Sequence, residues 1–159
     1  MAHNLLLPSM TEAPMSGAES RVATVRPVEE SEARGKVAEI FADIKRTKGL
    51  ERVPNFWRVL ATYPEQLEMV WSRLKALMHP EAVGRVSPLD ARTREIIALA
   101  VSAANGCSYC INSHTTALRK LGVDDHTLGE ILAIVSLFCT TNVLADAYQV
   151  QPDVLPPLE

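Results

Sequence analysis

The sequence predicts an all-α protein. Three observations carry that expectation. Apolar residues recur at helical spacing along most of the chain. Only seven glycines occur among 159 residues. No strand-like alternation bounded by hairpin turns appears anywhere. Hydrophobic residues make up 47% of the chain and charged residues 22%, a globular balance that excludes a wholly disordered polymer. A chain of this size buries roughly 68–70% of its unfolded surface and needs no staples to fold.

Residues 1–27 carry Pro8, Pro14, Gly17 and Pro27 with little periodicity and read as an extended arm. The start lacks a cationic segment and its apolar run stops at Pro8. Both features point away from a signal peptide and toward a cytoplasmic, thiol-reducing setting. Residues 28–150 are expected to form one helical domain. Val37, Ile40, Phe41 and Ile44 give a stripe over about 29–47, with Gly49 as a stop. Asn55–Thr62 is a short segment, and Pro64 suits the first position of the next helix. That helix carries Leu67, Val70, Trp71, Leu74, Leu77 and Met78 and ends near His79-Pro80. Trp57, Trp71 and Phe56 read as core. After a loop with Gly84, Ser87-Pro88 resembles an N-cap and first helical residue, with Asp90 near the positive end of the dipole. Ile96, Ile97, Ala100, Val101 and Ala104 form the buried face, and Asn105-Gly106 ends the helix.

A further helix is expected from about 107 to Lys120, stopped by Gly122. Asp124-Asp125 then caps a last helix over about 125–148. Leu128, Ile131, Leu132, Ile134, Val135, Leu137, Phe138, Val143 and Leu144 cover most of its circumference. A helix apolar nearly all round must be covered on several sides, so burial between subunits is expected. Residues 151–159 form a proline-rich tail. The formal net charge of −3 argues against nucleic acid as a partner. The lack of an uninterrupted run of 18 apolar residues argues against a membrane span.

Three cysteines are too few for a secreted disulfide framework. Cys139 lies in the last apolar helix and reads as core. Cys107 and Cys110 are different. At about 100° per residue they lie with His114 within an arc of about 60° on one helix. Cys107 stands at the helix N-terminus, where unpaired N–H groups and the dipole favour a thiolate. His114 is one turn beyond Cys110 and can exchange its proton. Glu95 lies on the preceding helix. If the Asn105-Gly106 turn makes the two helices antiparallel, Glu95 returns toward His114 and orients its ring. Such a set suits peroxide reduction: one thiolate attacks, a proton reaches the leaving oxygen, and a second thiol condenses with the sulfenic acid.

Blander readings stand beside this one. The cysteines could be a buried structural pair. Cys107, Cys110 and His114 could ligate zinc, with Glu95, His79 or His126 as a fourth ligand. Haem attachment is excluded, because Ile111 rather than histidine follows the second cysteine. His79 reads as a helix C-terminal residue, His126 as surface, and Arg92 and Arg94 as a solvated or paired face.

The pattern Glu95, Cys107, Cys110, His114 resembles the signature of the alkylhydroperoxidase D-like, peroxidase-related branch of the carboxymuconolactone decarboxylase superfamily. The resemblance runs over about Val53–Gly122. It includes Val53-Pro-Asn-Phe-Trp-Arg-Val-Leu-Ala and Ser87-Pro-Leu-Asp-Ala-Arg-Thr-Arg-Glu95. It implies a compact helical bundle assembling as a homo-trimer or homo-hexamer, with Cys-x-x-Cys at a helix N-terminus. It also implies a peroxiredoxin-like antioxidant oxidoreductase that reduces organic hydroperoxides without haem, flavin or metal. By that resemblance Cys110 attacks the peroxide, Cys107 resolves the sulfenic acid, and His114 and Glu95 relay protons. A lipoyl-linked or thioredoxin-like dithiol would be the reductant. The dipole alone would favour Cys107 as the attacking sulfur; the base one turn from Cys110 favours the resemblance's assignment. Well-known members carry histidine directly before the second cysteine. Here Tyr109, a candidate pocket residue, donates a hydrogen bond but is a poor base near neutrality. The alternatives are a redox-sensing or structural oligomer with little turnover, and a lyase acting on a lactone acid.

Overall fold

The structure, a computed structural model, describes residues 22–157, and most of the predicted arm lies outside them. The described residues are helical, without strands. Six α-helices follow in order: α1 Gly35–Lys48, α2 Asn55–Leu60, α3 Pro64–Met78, α4 Ala91–Ala104, α5 Ser108–Lys120 and α6 Asp125–Ala147. A turn of 3-10 helix, Pro80–Val83, occupies what the sequence presented as plain loop. The chain divides into two compact units, one up to Arg73 and one from Leu74 onward.

In the first unit the stripe of α1 buries Ile40, Phe41 and Ile44. Trp57 and Trp71 are buried and meet edge to face with ring centroids 5.2 Å apart. The Trp71 indole N–H donates to Asp43 Oδ2 at 2.7 Å, which satisfies the polar end of a buried ring. Phe56, expected in the core, is exposed. It packs its edge on Trp57 from outside. Helix α1 starts six residues later than the stripe suggested. The reason is Glu30, whose carboxylate accepts from the Val53 backbone N–H and from Lys45 Nζ, both at 2.6 Å. That contact across the chain holds residues 29–33 in a turn rather than a helix. Lys45 and the Val53 N–H hold the Glu30 carboxyl below its usual range.

The second unit is built on α4, which packs against both α5 and α6. Its core joins Leu99, Leu118, Val123 and Leu128, with Ile96, Ile111 and Ile131 packed around them. Helix α4 begins at Asp90 rather than Ser87. The Asp90 carboxylate accepts from Thr93 N–H at 2.7 Å, the bond that defines an N-cap. Ser87 Oγ instead accepts from Leu89 N–H at 3.3 Å, shaping the approach. Asp124 caps α6 in the same way, through Thr127 N–H at 2.8 Å.

Helix α6 departs from expectation within the single chain. Only Leu128 is buried, while Leu132, Ile134, Leu137, Phe138, Val143 and Leu144 are all exposed. Cys139, expected in the core, is partly exposed. The helix is long and apolar enough to cross a membrane by length and composition, although no uninterrupted apolar run reveals it.

Candidate active site

The turn between α4 and α5 sets the site. Helix α4 closes at Asn105, and Gly106 follows with φ +67°. The Gly106 N–H donates to Ala103 O at 3.2 Å, and the Cys107 N–H donates to Ser102 O at 3.0 Å. These two bonds make a Schellman close, which requires the left-handed conformation that glycine adopts without cost. Cys107 is therefore fixed by the end of α4. It is also the N-cap of α5, with Sγ accepting from Cys110 N–H at 3.3 Å. One residue ends one helix and starts the next.

Cys110 lies in the first turn of α5 and is joined to Cys107 by a disulfide, with Cα atoms 5.3 Å apart. That separation is within the usual range for such a bond. No acidic residue occupies the first turn of α5. The positive end of its dipole therefore faces the sulfurs without a competing carboxylate.

His114 sits one turn beyond Cys110. Its Nδ1 meets Glu95 Oε2 of α4 at 2.7 Å. The two side chains are 24% and 16% exposed, shielded enough to strengthen the contact yet open to small molecules. With Nδ1–H donating to the carboxylate, Nε2 is the nitrogen left for proton exchange. The neighbours of these residues explain the precision. Ile96 follows Glu95, Ile111 follows Cys110, and both pack on the core of the second unit. Tyr109, beside Cys110, is 44% exposed.

The structure thus brings Glu95 to His114 and Cys107 to Cys110. His126 is exposed on the first turn of α6. Among the described residues no group of three or more His, Cys, Asp or Glu is placed to hold a metal ion. Of the two arginines expected on a solvated or paired face, Arg92 is exposed and Arg94 is half-buried. Its Nη1 donates to Leu89 O at 2.5 Å and its Nε is buried. Sequence reading also missed Ser102, whose carbonyl anchors Cys107. The glycine after Asn105 was the available signal.

Comparison with known proteins follows the same line. Residues 74–151 match the Carboxymuconolactone decarboxylase family. The alkylhydroperoxidase AhpD core from Rhodospirillum rubrum superposes with a TM-score of 0.74 at 43% identity, over 82% of this chain and 94% of that one. The chain belongs to the AhpD-like branch of the carboxymuconolactone decarboxylase superfamily. Among curated AhpD-like relatives, the alkyl hydroperoxide reductase AhpD of Streptomyces griseus is 45% identical over 53 residues, 33% of this chain and 30% of that protein. An alkyl hydroperoxide reductase of Mycobacterium tuberculosis is 33% identical over 109 residues, 69% of this chain and 29% of its own. The chain spans about a third of the length of these curated relatives.

Proposed function

We propose that this protein is a thiol-dependent peroxidase that reduces organic hydroperoxides in a thiol-reducing compartment. The observation that carries the reading is the pairing of two contacts on one turn. The Cys107–Cys110 disulfide at the start of α5 lies one helical turn from a histidine held by Glu95 at 2.7 Å.

In the reduced enzyme the Cys110 thiolate attacks the distal peroxide oxygen. The S–O bond forms, the O–O bond breaks, and His114 delivers a proton to the departing alkoxide. Cys110 is then a sulfenic acid and the product is an alcohol. The Cys107 thiol condenses with it, forming the disulfide and releasing water. A dithiol, lipoyl-linked or thioredoxin-like, reduces the disulfide and becomes oxidised itself. The net change is one hydroperoxide and one dithiol to one alcohol, one water and one disulfide. Glu95 acts through His114 as a positioning residue. Tyr109 stands at the edge of the pair as a hydrogen-bond donor to the peroxide.

The working unit we propose is a homo-trimer or homo-hexamer, in which a second copy covers the apolar face of α6. Support comes from the exposed Leu137 and Phe138 on a helix that already packs against α4. Leu137→Asp should dissociate the assembly in sedimentation. Flotation of the wild-type chain with lipid vesicles would instead make α6 a membrane element and overturn this assembly.

The enzymatic reading is tested with tert-butyl hydroperoxide and a dithiol. Cys107→Ser and Cys110→Ser are each expected to abolish turnover. Unchanged rates in either variant would overturn the thiol scheme, and negligible wild-type turnover beside an oxidation-driven change of assembly would replace the peroxidase with a redox sensor. Activity on a lactone acid that survives thiol alkylation would replace it with a lyase.

A further inference from the structure

The second unit holds a cavity of about 240 Å³ that the thiol chemistry does not use. Met78, Leu89 and Ile97 give it an apolar wall, and Arg85, Arg94 and Ser87 supply the polar groups. No carboxylate lines it. Each guanidinium is anchored by one N–H: Arg85 Nη1 donates to Ala76 O at 2.9 Å, and Arg94 Nη1 donates to Leu89 O at 2.5 Å. These bonds restrain the exposed Arg85 and the half-buried Arg94 while most of their donors remain uncommitted. Among the described residues neither arginine has an ion pair. The nearby Asp90 carboxylate is exposed and capped onto Thr93 N–H, and it feels the Arg94 charge without forming an ion pair with it. Arg94 Nε is buried and has no hydrogen-bond partner. A buried cationic donor left unmet is rare enough to need a reason.

We propose that this cavity binds the carboxylate of a small aliphatic acid. The forks take the carboxylate, for which two preset guanidiniums are the matching partner. The apolar wall takes the alkyl chain, which a free phosphate lacks. The volume is below the ~300–1,000 Å³ typical of drug-sized ligand sites, so the occupant is a short or medium-chain acid rather than a full-length lipid. Arg94 directly precedes Glu95 on α4, so the acid is held beside the helix turn that carries the Glu95–His114 pair. The inference does not depend on peroxidase turnover, because binding alone reads it.

The test is titration calorimetry on the full chain with octanoate, octanol and inorganic phosphate as separate probes. Octanoate is expected to bind saturably, one per chain, with octanol and phosphate each weaker by about tenfold or more. Arg85→Gln and Arg94→Gln should each lower octanoate affinity by about tenfold, and Arg94→Lys by less. Because Arg94 also holds the Leu89 carbonyl, Arg85→Gln and Ile97→Asn keep the test decisive should Arg94→Gln misfold; circular dichroism checks each variant. Equal binding of octanol would reduce the cavity to a nonspecific apolar trap, and equal binding of phosphate would make it an anion site without chain recognition. Either result overturns the proposal. So does absence of saturable octanoate binding, including the case in which Ile97→Asn changes oligomer size, which would assign the cavity to a second copy of the chain.

Discussion

Two glycine-to-alanine substitutions should shift stability in opposite directions. Gly106 has φ +67°, and a Cβ built there meets nothing within 4 Å. Alanine at this position therefore suffers no clash, and its penalty is conformational alone. The left-handed region costs an L-residue roughly 1–2 kcal/mol. Alanine also narrows the unfolded ensemble, which offsets about 0.4–1 kcal/mol. The net loss is about 1 kcal/mol. Gly129 lies inside α6, and a Cβ there also meets nothing within 4 Å. Helical geometry suits alanine, so Gly129→Ala should stabilise by roughly 0.5–1 kcal/mol. Urea unfolding reads both. With a slope of about 2 kcal/mol per molar, the midpoint should fall by roughly 0.5 M for Gly106→Ala and rise by somewhat less for Gly129→Ala. Gly106→Asn should lie between wild type and Gly106→Ala, because asparagine tolerates the left-handed region. A Gly106→Ala protein as stable as wild type would refute the Schellman close between α4 and α5. The placement of Cys107 as a cap would fall with it.

Other expectations follow from the same structure. His114→Ala should slow peroxide turnover by about 10²–10⁴-fold; Glu95→Gln should slow it less and alter the pH–rate profile, a readout that a merely structural role would leave unmoved. Leu118→Ala removes a fully buried side chain and should destabilise by about 2–5 kcal/mol in chemical denaturation. Asp90 and Asp124 are held below the usual carboxylate range, chiefly by the N–H groups of Thr93 and Thr127. Their contribution is complete above the unfolded range, begins to fall below about pH 5, and is lost as pH drops through the lowered folded values. The double variant Asp90→Asn with Asp124→Asn keeps both caps and should flatten the fall in thermal midpoint on acidification. An unchanged acid slope would exclude these caps as its source.

The helix ends of the second unit were legible because their signals are local, whereas Ile97 and Val101, read as the buried face of α4, are exposed within the chain. Asn105-Gly106 and Gly122 announce helix ends through backbone conformation, and the structure closes both by the same device. Gly122 N–H donates to Arg119 O at 3.0 Å and Val123 N–H to Leu118 O at 3.0 Å. The spacing of Cys107, Cys110 and His114 placed them on one helical face, and the Glu95–His114 contact depended only on the tightness of one turn. The misreadings lie where one particular side-chain contact decides. Glu30 looks like the start of a helix until Val53 and Lys45 claim its carboxylate. Ser87-Pro88 reads as the cap with Asp90 only a favourable charge, and the Asp90 bond to Thr93 N–H makes the aspartate the cap instead. Arg94 reads as part of a solvated or paired face, and the structure ties its guanidinium to the Leu89 carbonyl and places it in a cavity lining. Phe56 packs on a buried tryptophan yet stays exposed itself; one-dimensional hydropathy does not separate such neighbours.

The shared residue between α4 and α5 has a kinetic consequence. Cys107 has no linker on either side: its N–H is tied to Ser102, and its sulfur caps the amide of Cys110. When the disulfide opens, the backbone therefore has no loop to swing and no segment to order again. On the thiol cycle proposed above, the Cys107 sulfur stays at the first turn of α5, and side-chain rotation alone is expected to separate the reduced pair from the bonded one. Such rotations take picoseconds to nanoseconds, against microseconds or longer for loop rearrangements. Each cycle of the thiol pair should then run at the speed of its bond-making and of the arrival of reductant, with no conformational step of its own.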